Sequence, residues 1–210
     1  MKKTVVALAI LACVSVSMAD VITMHVANTT AGNQSGWNVG LQFEVIAPQG
    51  IEVLELGMYD SEGNGIIGEG MLSAVLFDTG GAQLAQVDFA ANAPGTFDAT
   101  SNYLFKPLES TLLLVCGTDT LMGYVFNSAN KEDNMNNADL EGGPTFNDGG
   151  LIRFVQSAWG QGVTGTFPTR FGEPDYFDAA NMRFHAATVV PAPGPILLGG
   201  LRCALARSPR

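Results

Sequence analysis

Short apolar runs, rich in β-branched and aromatic residues and separated by turn-forming residues, recur along most of this 210-residue chain. Such runs predict β-strands, because branched side chains fit a pleated surface and Gly, Pro, Asn and Asp fit the turns between strands. No segment longer than about ten residues keeps the apolar period near 3.6 that an amphipathic helix requires. About ten strands are predicted, at Val21–Val26, Val39–Ile46, Ile51–Tyr59, Leu72–Phe77, Gln83–Phe89, Tyr103–Leu108, Thr111–Cys116, Leu121–Phe126, Leu151–Val155 and Met182–Thr188.

The pattern within and between these strands favours an all-β fold, an antiparallel β-sandwich that is jelly-roll-like. Ile51–Tyr59 has apolar side chains on both faces, which indicates a strand inside a sheet. The turn residues 78–81 (Asp-Thr-Gly-Gly) give the strongest hairpin signal, and residues 47–50 (Ala-Pro-Gln-Gly) predict a second hairpin. A closed barrel is the alternative. An outer-membrane barrel is disfavoured, since it needs longer strands that are apolar at alternate positions throughout.

The N-terminus has the three parts of a secretory signal peptide. Lys2 and Lys3 are positive, Thr4–Val16 is apolar, and small residues precede a predicted cleavage between Ala19 and Asp20. We therefore expect a signal peptide over residues 1–19, a β-sandwich domain over 20–188 and a separate C-terminal tail over 189–210.

The expected mature domain is strongly acidic. Residues 20–190 contain all twenty acidic residues but only five basic ones, a formal charge of −15. Such a field repels phosphate backbones, so nucleic acid is not expected as a partner. The acidity fits either solubility outside the cell, which we favour, or attraction for divalent cations or cationic surfaces.

The C-terminal tail carries a proline cluster, an apolar run and trailing arginines. The cluster is Val190-Pro191-Ala192-Pro193-Gly194, the run is Ile196–Leu201, and Arg202, Arg207 and Arg210 follow. This arrangement resembles the sorting tail of bacterial PEP-CTERM proteins, and residues 180–184 (Ala-Asn-Met-Arg-Phe) resemble the closing strand common in them. The body is also similar to an exported bacterial β-sandwich domain of unknown function, at residues 54–60, 74–78 and 113–124.

The resemblance implies an exosortase-type sorting enzyme as a partner and a location in the cell envelope, at the cell surface or in the extracellular matrix. It implies contact with the membrane only through the terminal segments. The tail departs from the family pattern at two points. Ala192 stands where the commonest form has an acid, and Arg202 ends an apolar run far shorter than the roughly twenty residues of a helical span. We therefore expect a shortened or degenerate tail.

Two acidic segments are weak candidates for calcium. Asp60, Glu62 and Asn64, followed by Gly65, imitate the start of an oxygen-ligand loop, but Met71 stands where a bidentate Glu is required. The polar stretch 127–150 contains Asp133, Asp139 and Asp148 without a repeated ligand spacing. A plain turn and a solvated loop are favoured over metal sites, and no cofactor is expected.

No catalytic motif stands out. The two histidines, His25 and His185, lie in predicted strands, so structural or surface roles are expected. No Gly-x-Ser-x-Gly turn is present. Glu52 and Glu55 are three apart on one strand, which predicts that they point to opposite faces. Cys116 is expected to be a small buried apolar residue.

Trp37, Trp159 and Tyr176 are candidates for a sugar-stacking platform, although burial is the commoner fate of a tryptophan. The sequence thus predicts an exported, non-enzymatic protein that is structural or associated with exopolysaccharide. A carbohydrate-binding module is the first alternative, and a glycoside hydrolase or other hydrolase with an unrecognised carboxylate pair is the second.

Overall fold

The computed structural model describes residues 20–27, 32, 36–126, 132–134, 145–172 and 177–188. Within these ranges the chain forms strands and one 3-10 turn, Ser61–Gly63. The strands are β1 (Ile22–Thr23), β2 (His25–Val26), β3 (Asn38–Val45), β4 (Ile51–Tyr59), β5 (Met71–Phe77), β6 (Gln83–Ala90), β7 (Thr96–Asp98), β8 (Tyr103–Leu114), β9 (Gly117–Tyr124), β10 (Thr145–Phe146), β11 (Ile152–Gly160), β12 (Arg170–Gly172) and β13 (Ala180–Ala186). None of the described residues belongs to a helix long and apolar enough to cross a membrane.

Two antiparallel sheets form the fold. One has the strand order β1-β13-β4-β8-β7 and the other has the order β12-β11-β3-β9-β5-β6, while β2 and β10 form a small separate pair. β3, β4 and β5 alternate between the two sheets, a crossing pattern found in sandwiches with Greek-key connections. The prediction of an all-β, antiparallel, sandwich-like fold is confirmed.

The apolar core lies between the facing sides of the two sheets. Val39, Leu41 and Phe43 alternate along β3, and Leu56 and Met58 alternate along β4; all five are fully buried. This period of two is what a strand with one face on a core requires. Burial of a large apolar side chain contributes about 1.5–3 kcal/mol, so the facing sides of β3 and β4 supply much of the driving force for folding.

The predicted hairpin at residues 78–81 is confirmed. It joins β5 to β6, which pair in antiparallel register. The carboxylate of Asp78 accepts hydrogen bonds of 2.8 Å from the backbone N–H groups of Gly80 and Ala82. Gly81 has a φ of +80°, a conformation that glycine adopts without a steric penalty. Turn chemistry therefore fixes this hairpin locally.

The second predicted hairpin is wrong. Residues 47–50 form a turn, with Gly50 N–H donating to the Ala47 carbonyl at 2.9 Å. However, β3 and β4 belong to different sheets. The reason is long-range, because Ile46 N–H and Ala47 N–H both donate to the carbonyl of Leu151, which directs the chain out of its own sheet. The position of β4 inside its sheet, between β13 and β8, is confirmed.

One buried amide ties the N-terminal segment to β13. The Asn181 side chain accepts a hydrogen bond from His25 N–H at 3.0 Å and donates to the His25 carbonyl at 2.9 Å. Its oxygen also accepts from Met182 N–H at 2.8 Å. Asn181 therefore substitutes for strand pairing at the point where the chain leaves β1 and the five-stranded sheet to form β2.

We expect Asn181→Ala to lower the free energy of unfolding by about 3 kcal/mol, because buried polar groups without partners cost about 1–3 kcal/mol each. Urea denaturation measures the loss. Asn64→Ala is the matched control, because Asn64 is exposed and its replacement is expected to change stability by less than about 0.5 kcal/mol. A loss below about 1 kcal/mol for Asn181→Ala would show that His25 finds other partners.

One acid projects from β9 toward the core face. Asp119 pairs in register with Phe43, two positions before the core residue Leu121, and is 8% exposed. Burial, together with the nearby carboxylate of Asp78, raises the pKa of Asp119 from 3.8 to about 6. The folded protein therefore holds a proton on this carboxyl at pH values where the unfolded chain has lost it.

Because this pKa is raised in the folded state, stability should fall as the pH rises from about 4 to about 6. Asp119→Asn should remove that part of the pH dependence and stabilise the protein above pH 6 by on the order of 1–3 kcal/mol. Urea unfolding from pH 4 to pH 8 tests this expectation. Glu109→Gln, at an exposed site, is the control. If the free energy of unfolding changed with pH in the same way for the wild type and Asp119→Asn, the proposed contribution of Asp119 would be wrong.

Candidate functional site

Two tryptophans come together in a groove where β3, β11 and β12 lie side by side. The groove has a volume of about 300 Å³ and is lined by Trp37, Val39, Trp159, Arg170 and Phe177. We call it the aromatic groove. Trp37 and Trp159 are only partly buried, while Val39, at 1% exposure, belongs to the core. The aromatic groove is therefore an accessible rim of the apolar core.

Strand register places these side chains on one face. Trp159 of β11 is paired with Val39 of β3 on one side and with Arg170 of β12 on the other. Paired residues of neighbouring strands project from the same face of a sheet. Trp159 and Arg170 therefore share the face from which Val39 enters the core, and Trp37, two residues before Val39, extends the same row.

Ring contacts hold the groove side chains in place. The indole of Trp159 meets the ring of Phe177 edge to face, with 5.6 Å between centroids and 82° between planes. The guanidinium carbon of Arg170 lies 5.9 Å from the centroid of the Trp37 ring. Each contact is of a kind that contributes about 0.5–1.5 kcal/mol. The rings therefore keep defined orientations while part of their surface stays open.

The connection between β11 and β12, residues 161–169, is anchored to the other face of the same sheet. The hydroxyl of Tyr124 donates to the carbonyl of Thr166 at 2.5 Å. Phe167 packs edge to face on Phe77, with 5.4 Å between centroids. The Asn38 amide donates to the carbonyl of Gly162 at 2.9 Å. These contacts fix the edge strand that carries Arg170.

The structure brings two of the three predicted platform residues together. Trp37 and Trp159 line the same groove, whereas Tyr176 lies outside the described residues. Sequence reasoning missed Arg170 and Phe177. The Arg-Phe-Gly sequence of β12 did not indicate a strand, because the hairpin that sets Arg170 opposite Trp159 forms across a nine-residue connection.

The candidate calcium residues form a self-contained turn. Asp60 is fully buried, and its carboxylate accepts hydrogen bonds from Asn64 N–H at 3.2 Å and Gly65 N–H at 2.9 Å. The exposed Asn64 side-chain amide donates a hydrogen bond to the carboxylate of Glu62 at 2.9 Å. Among the described residues, no group of three or more His, Cys, Asp or Glu side chains is arranged to hold a metal. The expectation of a plain turn without a cofactor stays a prediction, with calcium as the less favoured alternative.

The polar stretch 127–150 contributes separate contacts. Asp133 N–H donates to the hydroxyl of Ser61 at 3.2 Å, and Asp148 accepts from Gly150 N–H at 2.8 Å within its own turn. Asp139 lies outside the described residues. The neighbouring Glu132, which sequence analysis did not single out, is buried. Its carboxylate accepts from the Ser61 hydroxyl at 2.8 Å, and burial raises its pKa to about 7 against the effect of that hydrogen bond.

Both histidines have acidic partners that are remote in sequence. The Nδ1 atom of His25 lies 3.0 Å from a carboxylate oxygen of Asp178, and both side chains are fully buried. The Nε2 atom of His185 lies 3.6 Å from Glu52. The first pair connects β2 to the residues just before β13. Because both side chains are closed off from solvent, the pair is not accessible to a substrate. Only the fold reveals these pairs, since each spans more than a hundred residues.

The prediction for Glu52 and Glu55 is wrong. A bulge at Leu54 adds one residue to β4, so that Glu55 pairs in register with Arg183 while Glu52 pairs with His185. Since Arg183 and His185 are two apart on β13, both glutamates project from one face. An ion pair of 2.8 Å joins Glu55 to Arg183. Each carboxylate thus has a basic partner, an arrangement that differs from a pair poised for acid and base catalysis.

Cys116 is exposed, which contradicts the expectation of burial. β8 ends at Leu114, so Cys116 lies in the tight link before β9. Its thiol contacts the Ala47 carbonyl at 3.3 Å. The apolar run before it predicted a strand that continues to Cys116, two residues beyond the observed end of β8.

The terminal predictions fall largely outside the described residues. These include Ala19 and the sorting motif Val190, Pro191, Ala192, Pro193 and Gly194, while Asp20 is exposed at the start of the described chain. No family model, curated protein or solved structure matches this chain. The resemblance to PEP-CTERM proteins therefore stays a prediction, and the aromatic groove is the strongest geometric indication of a function.

Proposed function

We propose that this chain is an exported, non-enzymatic β-sandwich protein of the cell envelope or extracellular matrix that binds a polysaccharide in the aromatic groove. The observation that carries the proposal is the convergence of the partly exposed indoles of Trp37 and Trp159 in one groove. The proposal combines the expected association with exopolysaccharide and the alternative of a carbohydrate-binding module, since the groove would bind the polysaccharide directly.

The chemistry of the groove supports a sugar ligand. Sugar rings present C–H-rich faces that stack on aromatic rings, and an indole offers a large flat surface for that contact. The volume of about 300 Å³ is at the lower end for small-molecule sites, which suits one or two sugar residues of a longer chain. Arg170 at the rim adds hydrogen-bond donors for hydroxyl or acidic groups.

Export is supported by the sequence at both ends. The charged, apolar and small-residue parts before Asp20 are those of a signal peptide. The proline cluster at residues 190–194 and the arginines after it support sorting by an exosortase-type enzyme. In this proposal the terminal segments alone contact the membrane, and the acidic domain stays soluble beside acidic or neutral glycans.

We expect the full chain to bind a defined polysaccharide on a glycan array without releasing shortened products. Trp37→Ala and Trp159→Ala should each weaken binding roughly tenfold, because each removes one stacking surface. Phe97→Ala is the matched control, since Phe97 is 38% exposed on β7 of the other sheet. It should bind like the wild type.

Conservative variants separate binding from folding. Trp159→Phe should retain most of the affinity, and thermal unfolding should show that each alanine variant is folded at the assay temperature. Glycan binding that is unchanged in both alanine variants would exclude the aromatic groove as the site. Turnover of the bound glycan would contradict a non-enzymatic role.

Mass spectrometry of the protein recovered from its native host tests the export part of the proposal. We expect a mature N-terminus at Asp20, because the small residue Ala19 precedes it. Loss of the tail beyond the proline cluster is expected if the sorting enzyme acts on it. An intact N-terminal methionine would contradict export through a cleaved signal peptide.

A further inference from the structure

Arg170 differs from the other basic side chains that the structure describes. Arg153 pairs with Glu44, Arg183 pairs with Glu55 and Asp98, and the Lys106 ammonium donates to the Asp88 carbonyl. Within the described part of the chain, no carboxylate or carbonyl is paired with the Arg170 guanidinium, which lies over the ring of Trp37.

The position of this guanidinium makes it a ligand for something that enters the groove. Arg170 is exposed and lines the aromatic groove together with both indoles. Its neighbour Trp159 is its partner in register, so the cation and the two stacking surfaces share one face. The guanidinium lies 5.9 Å from the Trp37 ring centroid, a contact that orients it and leaves its N–H groups available.

We propose that the aromatic groove selects an acidic glycan, a polymer of uronic acid residues, and that Arg170 binds the carboxylate of a sugar stacked on Trp37 or Trp159. The inference rests on the proposed polysaccharide function and names the class of its ligand. A guanidinium presents parallel N–H groups whose spacing matches the two oxygens of a carboxylate, so it favours this group over a lone hydroxyl.

The negative charge of the rest of the domain restricts where an anionic polymer can bind. The expected mature domain has a formal charge of −15, so an anionic polymer gains attraction only where a cation lacks its own partner. At physiological ionic strength, charges beyond about 8 Å are largely screened, so the charges nearest to Arg170 decide how strongly it attracts an anion. Glu173 and Asp175 follow Arg170 in the sequence and lie outside the described residues. In the aromatic groove, an arginine without a carboxylate partner among the described residues lies beside two rings on which a sugar can stack.

The test compares one polymer in two charge states. Polygalacturonate and its methyl ester have the same backbone, but esterification removes the carboxylate charge. We expect the full chain to bind polygalacturonate at least about tenfold more tightly than the ester at about 0.15 M salt. Affinity electrophoresis or calorimetry gives both constants. A chelator is included, because calcium could bridge the acidic protein to the acidic polymer.

Arg170→Gln should weaken binding of polygalacturonate roughly 10- to 100-fold and leave binding of the ester unchanged, since charged hydrogen bonds supply the difference. Arg170→Lys should lie between, because it keeps the charge without the paired N–H groups. Arg153→Gln is the matched control, because Arg153 is bound to Glu44. It should behave like the wild type.

The outcomes separate the two proposals. Equal binding of both polymers, with no effect of Arg170→Gln, would overturn the acidic-glycan inference while the polysaccharide function stands. Preference for a sulfated glycan without uronic acid residues over polygalacturonate would overturn the carboxylate assignment. Absence of binding to every neutral, acidic and sulfated polysaccharide on an array would overturn both proposals.

Discussion

The contact between the inner faces of the two sheets is the constraint on which the rest of the structure depends. The described chain lacks disulfides, and its exposed Cys116 is free, so the apolar core must supply the stability of the fold. The crossing of β3, β4 and β5 between the sheets makes that core a product of contacts remote in sequence. Buried amides such as Asn181 then satisfy the backbone where strand pairing stops.

The aromatic groove follows from the same packing. A sandwich must expose the rim of its core, and an apolar rim tends to be covered or used. Here the row that begins with Val39 continues outward through Trp37, while Trp159 continues it on β11. Because these indoles extend a row of core residues, a sugar that stacks on them meets a rigid surface and gains affinity without first ordering a loop.

The sequence allowed the fold class and the local turn at residues 78–81 to be predicted, because strand alternation and turn chemistry are local properties. It did not reveal which sheet each strand joins. The bonds from residues 46 and 47 to Leu151 decide that point for β4, and the bulge at Leu54 decides which face Glu52 occupies. Trp37 and Trp159 were identifiable as large aromatics, but their approach to Arg170 depends on the pairing of β11 with β3 and β12.

The described arginines of the two sheets differ in whether a carboxylate of the protein already neutralises them. On the five-stranded sheet, Arg183 is bound by both Glu55 and Asp98 and stacks 4.0 Å from the centroid of Phe105. Its charge is already neutralised by these two carboxylates, which an incoming anion would have to displace. Arg170 has no carboxylate partner among the described residues, so an anion that binds there displaces none of their ion pairs. An acidic protein can in this way bind an acidic polymer at one point and still repel it elsewhere, which favours a defined register over general adhesion.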